Sequence, residues 1–448
     1  MLTTTLVRRF ANNPRAVDGG MRWDVAELFE NILAGLAWIE ASETPVLSIG
    51  VDSWAVDYGL LKNGTLTAAP RHYRDRTAVG SQAVHELVDR NALFDRNGIQ
   101  FLPFNTVYQL ADDKMHGSLG DVDSFLLIPD LIAYWMTGVA IAEETNASTT
   151  GLLPTTGLEW DGPLIETLGF AKSLFPRLVR PGHQIGALGG ADGKAVPLVG
   201  TPVIAVGSHD TASAVVAVPM EPTSSVYISC GTWGLVGIEV DEPILTTEAQ
   251  RANFTNERGV DGTTRFLQNV MGLWMLSECV RGWEKSGLSI TLETLLVEAS
   301  MVEAPPGLLD VNASVFAAPR NMSEEIVGDL RERGLPIPSS PAQMTRLILE
   351  SLAAAFVASA DQVASLAAID VGRIHIVGGG ALNQLLCQLI ADRAQLEVIA
   401  GPVEATAMGN MLIQARAVGL LEGDLAALRD IVRSSCELTA YRPERSRS

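Results

Sequence analysis

Two rhythms of apolar residues alternate along most of this chain. Short apolar runs are followed by stretches with apolar residues three and four apart, the spacing that gathers them on one helix face. Leu2–Phe10 alternates in the manner of a strand. Trp23-Asp24 opens a helix on which Val25, Leu28, Phe29, Ile32, Leu33 and Leu36 share a face. Pro45–Val51 is continuous enough for a buried strand, with Ala55–Leu61 as its partner or extension. Pro129–Met136 predicts an apolar helix ended by Thr137-Gly138. Such alternation predicts an α/β fold with wound sheets.

The second half repeats the theme. The strand Pro202–Val206 runs into Gly207-Ser208-His209-Asp210-Thr211-Ala212-Ser213-Ala214, whose small residues fit a helix packed closely on a neighbour. Val226–Ser229 and Leu235–Val240 flank Cys230-Gly231-Thr232-Trp233-Gly234 as a hairpin with a glycine-bearing turn. Asn269 stands at the start of an apolar stretch that reads as a helix. Arg373–Val377 is a strand leading into Gly378-Gly379-Gly380 and a helix from about Leu382 to Arg393. Glu397 begins another strand-to-helix unit, through Gly401–Thr406 into Met408–Val418. Pro219–Thr223 marks a crossover, which divides the chain into domains 1–218 and 219–440.

A length of 448 residues suits two or three domains, and 47% hydrophobic residues suit a large core. The balance of 32 basic against 52 acidic residues, a net charge of −20, argues against non-specific binding to nucleic acid. An acidic cytoplasmic enzyme acting on a small molecule is the expectation. The Ala-rich stretch Leu349–Ala368 is broken by Glu350, Asp361 and Gln362, so it reads as a buried helix and not as a membrane span. Cys230, Cys279, Cys387 and Cys436 form no C-x-x-C pair, which predicts buried reduced thiols.

Several stretches could carry chemistry. Asp210 lies at a strand-to-helix junction, where α/β proteins bind ligands, and it could equally cap the helix that follows. Gly378–Gly380 could let a backbone approach phosphate or could serve tight packing alone. The Gly231-Thr232 turn offers amides and a hydroxyl to an anion, or is an ordinary hairpin turn. Asp52 and Asp57 flank Trp54, a combination suited to polyols. Tyr73-Arg74-Asp75-Arg76 adds guanidinium groups or is a solvated loop. Asn269 could bond a sugar hydroxyl or cap a helix. Cys and His residues have no metal-ligand spacing, and no G-x-S-x-G elbow is present.

Taken in order, these motifs resemble the FGGY carbohydrate kinase family. The resemblance runs from Arg8 to about Gly419. It rests on Ile49–Trp54, His72–Asp75, Gly98–Thr106, Asn146–Thr150, Ser208–Ala214, Ser229–Trp233, Gln268–Trp274, Ile374–Gly380 and Ile399–Thr406. It implies two actin-like, ribonuclease-H-like ATPase domains around a cleft, with sugar mainly on the first and ATP mainly on the second. It also implies Mg²⁺ as a companion of ATP. Phe101–Thr106 and Ser208–Ser213 are most similar to the branch of the family that phosphorylates L-rhamnulose on O1. Asp210 matches that branch's catalytic base; His209, Thr211 and Asn269 match sugar contacts. Thr232, Gly379, Gly380 and Asn383 match nucleotide contacts. Members of the family open with a glycine-rich phosphate hairpin, whereas the start of this sequence already resembles the third strand. The first domain is thus expected to lack its first two strands. Ala55 stands where the family has Gly, which leaves another ketose such as L-fuculose as an alternative; the missing phosphate hairpin leaves sugar binding without catalysis as another.

Overall fold

In the computed structural model of the chain, residues 2–17, 19–75, 79–190 and 196–444 are described. Arg76 lies outside them. By packing, the chain divides into two compact units that are not contiguous in sequence. The first comprises Met1–Ala217, Val240–Arg265 and Thr406–Ile431; the second comprises Val218–Glu239, Phe266–Ala405 and Val432–Ser448.

The first unit is built around the helix Val25–Ala41, which starts where the Asp24 carboxylate accepts from the Glu27 amide. Its Val25 and Leu28 join Trp23, Leu126, Ile128, Leu131 and Val203 in one buried cluster. The helix Ile128–Thr137 also lies in this core and ends at Gly138, whose φ of 74° is the left-handed cap that glycine adopts freely. Two small sheets carry the framework. In one, Ile49–Gly50 pairs in parallel with Pro202–Ile204, which pairs antiparallel with Gln184–Ala187. In the other, Tyr58–Lys62 lies antiparallel to both Thr65–Leu66 and Ser124–Leu127.

Three sequence expectations need correction here. Leu2–Phe10 forms no strand, and Leu6 and Val7 are exposed. Pro45–Val51 pairs only at Ile49–Gly50, because its partner strand is itself three residues long. Tyr58–Lys62 belongs to a different sheet from Ile49–Gly50 and does not extend it. In each case the alternation of apolar residues is real, but a strand exists only where another strand supplies hydrogen-bond partners.

The second unit holds a sheet whose neighbours run Thr264–Met271, Trp233–Val240, Ser225–Cys230, Arg373–Val377, Glu397–Ala400 and Thr439–Tyr441. Its central pairs are parallel, with Val226 opposite Ile374 and Ile374 opposite Val398. The 27-residue helix Pro341–Ala367 covers this sheet. Its Phe356 ring sits so close to Gly234 that an added Cβ there would lie 2.3 Å away. By length and composition this helix could cross a membrane, but 67% of its most apolar window is buried inside the protein, as a core helix would be.

Candidate active site

Asp210 is the first residue of the helix Asp210–Val216, and the cap position is His209, whose side chain makes no capping bond. The capping alternative for Asp210 is therefore set aside. Its carboxylate instead accepts from Thr211 Oγ1 at 3.0 Å and lies 3.5 Å from His209 Nε2. The Asp210 side chain is 45% exposed, whereas that of His209 is 8% exposed.

The small residues after Asp210 have a packing reason. A Cβ added to Gly409, on the helix Ala405–Ala417, would lie 1.8 Å from the Ser213 carbonyl oxygen. The two helices thus touch backbone to backbone. Ser213 Oγ donates to the Gly207 carbonyl at 2.6 Å, which tightens the turn before the helix.

A second segment lies beside this junction. Ser53 and His209 form a parallel bridge: Ser53 N donates to Ser208 O, and Asp210 N donates to Ser53 O at 2.8 Å. This places Asp52 within the field of Asp210. Asn410 donates to Asp52 Oδ2 at 2.5 Å. Burial pushes the Asp52 carboxyl up to about 7; the Asn410 hydrogen bond opposes the rise and the Asp210 charge adds to it. Asp52 therefore holds its proton through much of the range where an ordinary carboxyl is ionised.

Beneath the junction sits a charged network that local sequence did not reveal. Arg265 is fully buried and Glu257 nearly so; they pair at 3.0 Å. Arg265 NH2 is 3.2 Å from His209 Nδ1, and Glu257 Oε2 is 3.2 Å from the same nitrogen. Burial pushes the Glu257 carboxyl up, but the Arg265 charge beside it outweighs burial and holds the group below its ordinary value. On another side, Glu143 accepts from both the amide and the hydroxyl of Ser208, at 2.9 and 2.8 Å. Burial raises the Glu143 carboxyl, and its four bonds from Thr145 and Ser208 restrain the rise. Arg265 stands 56 residues from His209 in sequence, Glu143 stands 65 from Ser208, and Asn410 stands 358 from Asp52. No motif announces contacts over such separations.

Asp57 proves structural. It is fully buried, and its carboxylate accepts from the indoles of Trp23 and Trp54, at 2.6 and 3.1 Å, and from Gln109 at 3.2 Å. The rings of Trp23 and Trp54 lie 4.4 Å apart, and His72 stacks alongside Trp23 and Tyr73. Burial drops His72 to about 4, so this aromatic wall is uncharged. Between them, Asp57 N donates to Ala55 O across Val56, whose φ of 69° is strained for a β-branched residue. Thr106 and Gln109 both donate to the Val56 carbonyl and hold it there. Asp75 is likewise engaged, accepting from the Met21 amide.

The second unit carries the glycine turns. Ser225–Cys230 and Trp233–Val240 form the expected hairpin, with Gly231 and Thr232 exposed at its tip. The Leu273 amide donates to Gly231 O, and a Cβ on Gly272 would lie 2.5 Å from the Trp233 carbonyl carbon, so the loop after Met271 is moulded on the hairpin. Asn269 lies in the strand Thr264–Met271 and not at a helix start; the helix begins at Trp274. The helix-like apolar run is a strand that ends at Met271, before Gly272. Gly378 has a φ of 79°, and Gly380 is pressed on Cys230, where an added Cβ would lie 2.4 Å from the Cys230 Cβ. Gly379 is exposed with open space at its Cβ position. Asn383 caps the helix Gln384–Ala394, its Oδ1 accepting from the Leu386 amide at 3.0 Å. Among the described residues no group of three or more His, Cys, Asp or Glu is placed to hold a metal ion.

Residues 14–217 match the N-terminal domain of the FGGY family of carbohydrate kinases, and residues 226–418 its C-terminal domain. A rhamnulokinase of Pectobacterium atrosepticum is 41% identical over 99% of this chain and 88% of its own length. A rhamnulokinase of Bacteroides thetaiotaomicron is 36% identical over 98% and 90%. Among solved structures, a xylulose kinase from Lactobacillus acidophilus is 17% identical with a TM-score of 0.72, covering 96% of this chain and 87% of that one. A Plasmodium falciparum glycerol kinase with ADP is 14% identical with a TM-score of 0.73, covering 97% and 89%. These two show that the α/β fold is that of sugar kinases. The chain belongs to the FGGY family of carbohydrate kinases and is a sugar kinase, an enzyme that transfers a phosphoryl group.

Proposed function

We propose that this kinase transfers the γ-phosphoryl group of ATP to O1 of L-rhamnulose, with Asp210 as the general base. The observation that carries the reading is the arrangement at Asp210: a carboxylate left open to solvent amid residues whose own polar groups are buried and engaged. The rhamnulokinase relatives, alike over nearly the whole chain, support the choice of sugar. In this reading the sugar hydroxyl gives its proton to Asp210 as its oxygen bonds to phosphorus. The bond from phosphorus to the bridging oxygen breaks, and ADP leaves.

Positioning supplies the rest. His209, Thr211 and Asn269 are assigned to sugar hydroxyls, so that one of them alone meets the carboxylate. Thr232, with its exposed hydroxyl, and Gly379, with no side chain to shield its backbone, are assigned to the phosphates. Gly380 and Asn383 are assigned to shaping the nucleotide turn, because one is packed on Cys230 and the other has its oxygen in a helix cap.

A coupled ADP-release assay over L-rhamnulose, L-fuculose, L-ribulose and D-xylulose tests this. L-rhamnulose is expected to give the highest kcat/KM, with the product phosphate on C1. Ala55 lies in a turn closed by the Asp57 amide on its carbonyl, and a higher kcat/KM for L-fuculose would show that its methyl group reshapes the pocket. Sugar binding with no turnover of any ketose would overturn the catalytic reading.

A further inference from the structure

His209 presents one ring nitrogen to Asp210 and the other to a buried ion pair. A neutral imidazole carries its proton on one nitrogen only, and which one decides what it offers a sugar. On the inner side, the guanidinium of Arg265 is 3.2 Å from Nδ1. Arg has five N–H groups and no acceptor, and it stays charged at any pH the protein survives. A hydrogen bond between these atoms thus requires a bare lone pair on Nδ1. Glu257 Oε2 also lies 3.2 Å from Nδ1, but it faces Arg265 NH1 at 3.0 Å and serves as that cation's counter-ion. Arg265 is held in place by a further bond from its Nε to the Arg258 carbonyl at 3.1 Å.

We propose that Arg265 is a positioning residue that fixes His209 as the Nε2–H tautomer, so that the ring is a neutral hydrogen-bond donor toward Asp210 and the sugar. A proton on Nδ1 would point at the guanidinium, and the Glu257 carboxylate that could accept it is already paired with that cation at 3.0 Å. Glu257 makes the arrangement possible by neutralising an Arg with no access to water. The other groups that face the imidazole are Asp210 at Nε2 and Asp52 beyond it. A donor at Nε2 fixes the direction of the Asp210 carboxylate, as a base needs. This inference rests on the reading of Asp210 as the base, but its first test does not.

That test is long-range ¹H–¹⁵N spectroscopy of the protein labelled at its six histidines, with His209 assigned by its loss in His209→Asn. At pH 7, His209 is expected to show a pyridine-like Nδ1 and a protonated Nε2. A protonated Nδ1, as the other tautomer or as imidazolium, overturns the proposal. Kinetics of Arg265→Gln/Glu257→Gln, which removes both charges together and leaves no orphan, give a second readout. The tautomer lock is expected to be lost in the spectrum while the variant stays folded. The kcat for the ketose should fall by about tenfold to a hundredfold, the cost of a misplaced positioning group. Unchanged tautomer and kcat in the folded variant would also overturn it. Absence of turnover by the wild-type enzyme would refute the kinase reading instead and leave the spectroscopic test standing.

Discussion

The Asp210 junction and the Gly378–Gly380 turn are both places where a strand gives way to a helix, yet they are made from opposite materials. The first is built from charged and polar side chains. Asp210 is flanked by Thr211 and His209 and feels the charge of Asp52; Glu257 and Arg265 lie behind His209, and Ser208 is tied to Glu143. The second is built from backbone. Gly378 adopts a φ that side chains disfavour, Gly380 leaves room for Cys230, and Gly379 is bare. A carboxylate that must take a proton needs its charge and direction set by neighbours. A phosphate cradle needs only amides brought close, which glycine permits.

The largest expected effect tests the charged half of this contrast. Asp210→Asn keeps the shape and removes the base, so kcat should fall by about 10²–10⁴. KM for the sugar should stay within a few-fold, because His209 and Thr211 remain. Retained turnover would remove Asp210 from the chemistry and leave the junction as a binding feature only.

Next comes Thr232→Val, which removes one hydroxyl from the glycine half. Hydrogen bonds to charged groups contribute about 1.5–3 kcal/mol, so KM for ATP should rise by about tenfold to a hundredfold with little change in KM for sugar. A loss confined to kcat would mean that this turn contributes to the transition state as the Asp210 side does, and the contrast would weaken.

Two neighbouring glycines sharpen the backbone half. A methyl at Gly380 would lie 2.4 Å from Cys230, whereas a methyl at Gly379 meets nothing within 4 Å. Gly380→Ala should therefore cost about 1–3 kcal/mol in urea unfolding, as overpacking does. Gly379→Ala should change stability by less than about 0.5 kcal/mol, and any defect should appear in KM for ATP. Equal stability losses would show that the turn is strained as a whole.

The same contrast explains what sequence alone could reveal. The glycine turn and its hairpin were legible because their determinants are adjacent: a strand, three glycines and a helix cap within Arg373–Ala394. Asp210 was visible for the same reason, inside a short motif. Its supporting network was not, since Glu257, Arg265 and Asn410 reach it only through tertiary folding. Periodicity found helices such as Val25–Ala41, Ile128–Thr137 and Gln384–Ala394, and the strands Ser225–Cys230, Trp233–Val240, Arg373–Val377 and Glu397–Ala400 of the second unit's sheet. It failed for Leu2–Phe10, where alternation had no neighbouring strand, and at Asn269, where an apolar run is a strand ending at Met271. Asp57 read as a sugar-binding carboxylate because sequence cannot show that two indoles already occupy it.

Asp52 offers the most specific test, since burial pushes its carboxyl up to about 7 beside Asp210. An ordinary Asp titrates near 3.8. A group whose proton is held more tightly in the folded state favours folding most when it is protonated in both states. That contribution is whole below pH 3.8 and is lost as the pH rises toward and through about 7. Asp52→Asn keeps a neutral group beside Asn410 and removes this dependence. Between about pH 6 and 7 the wild type should lose on the order of 1 kcal/mol of stability relative to the variant. The wild-type activity profile should change in the same window, where Asp52 gains its charge, and that of the variant should not. A wild-type and variant pair with parallel stability from about pH 5 to 8 would show that Asp52 is ionised throughout, and that the Asp210 junction tolerates two adjacent negative charges.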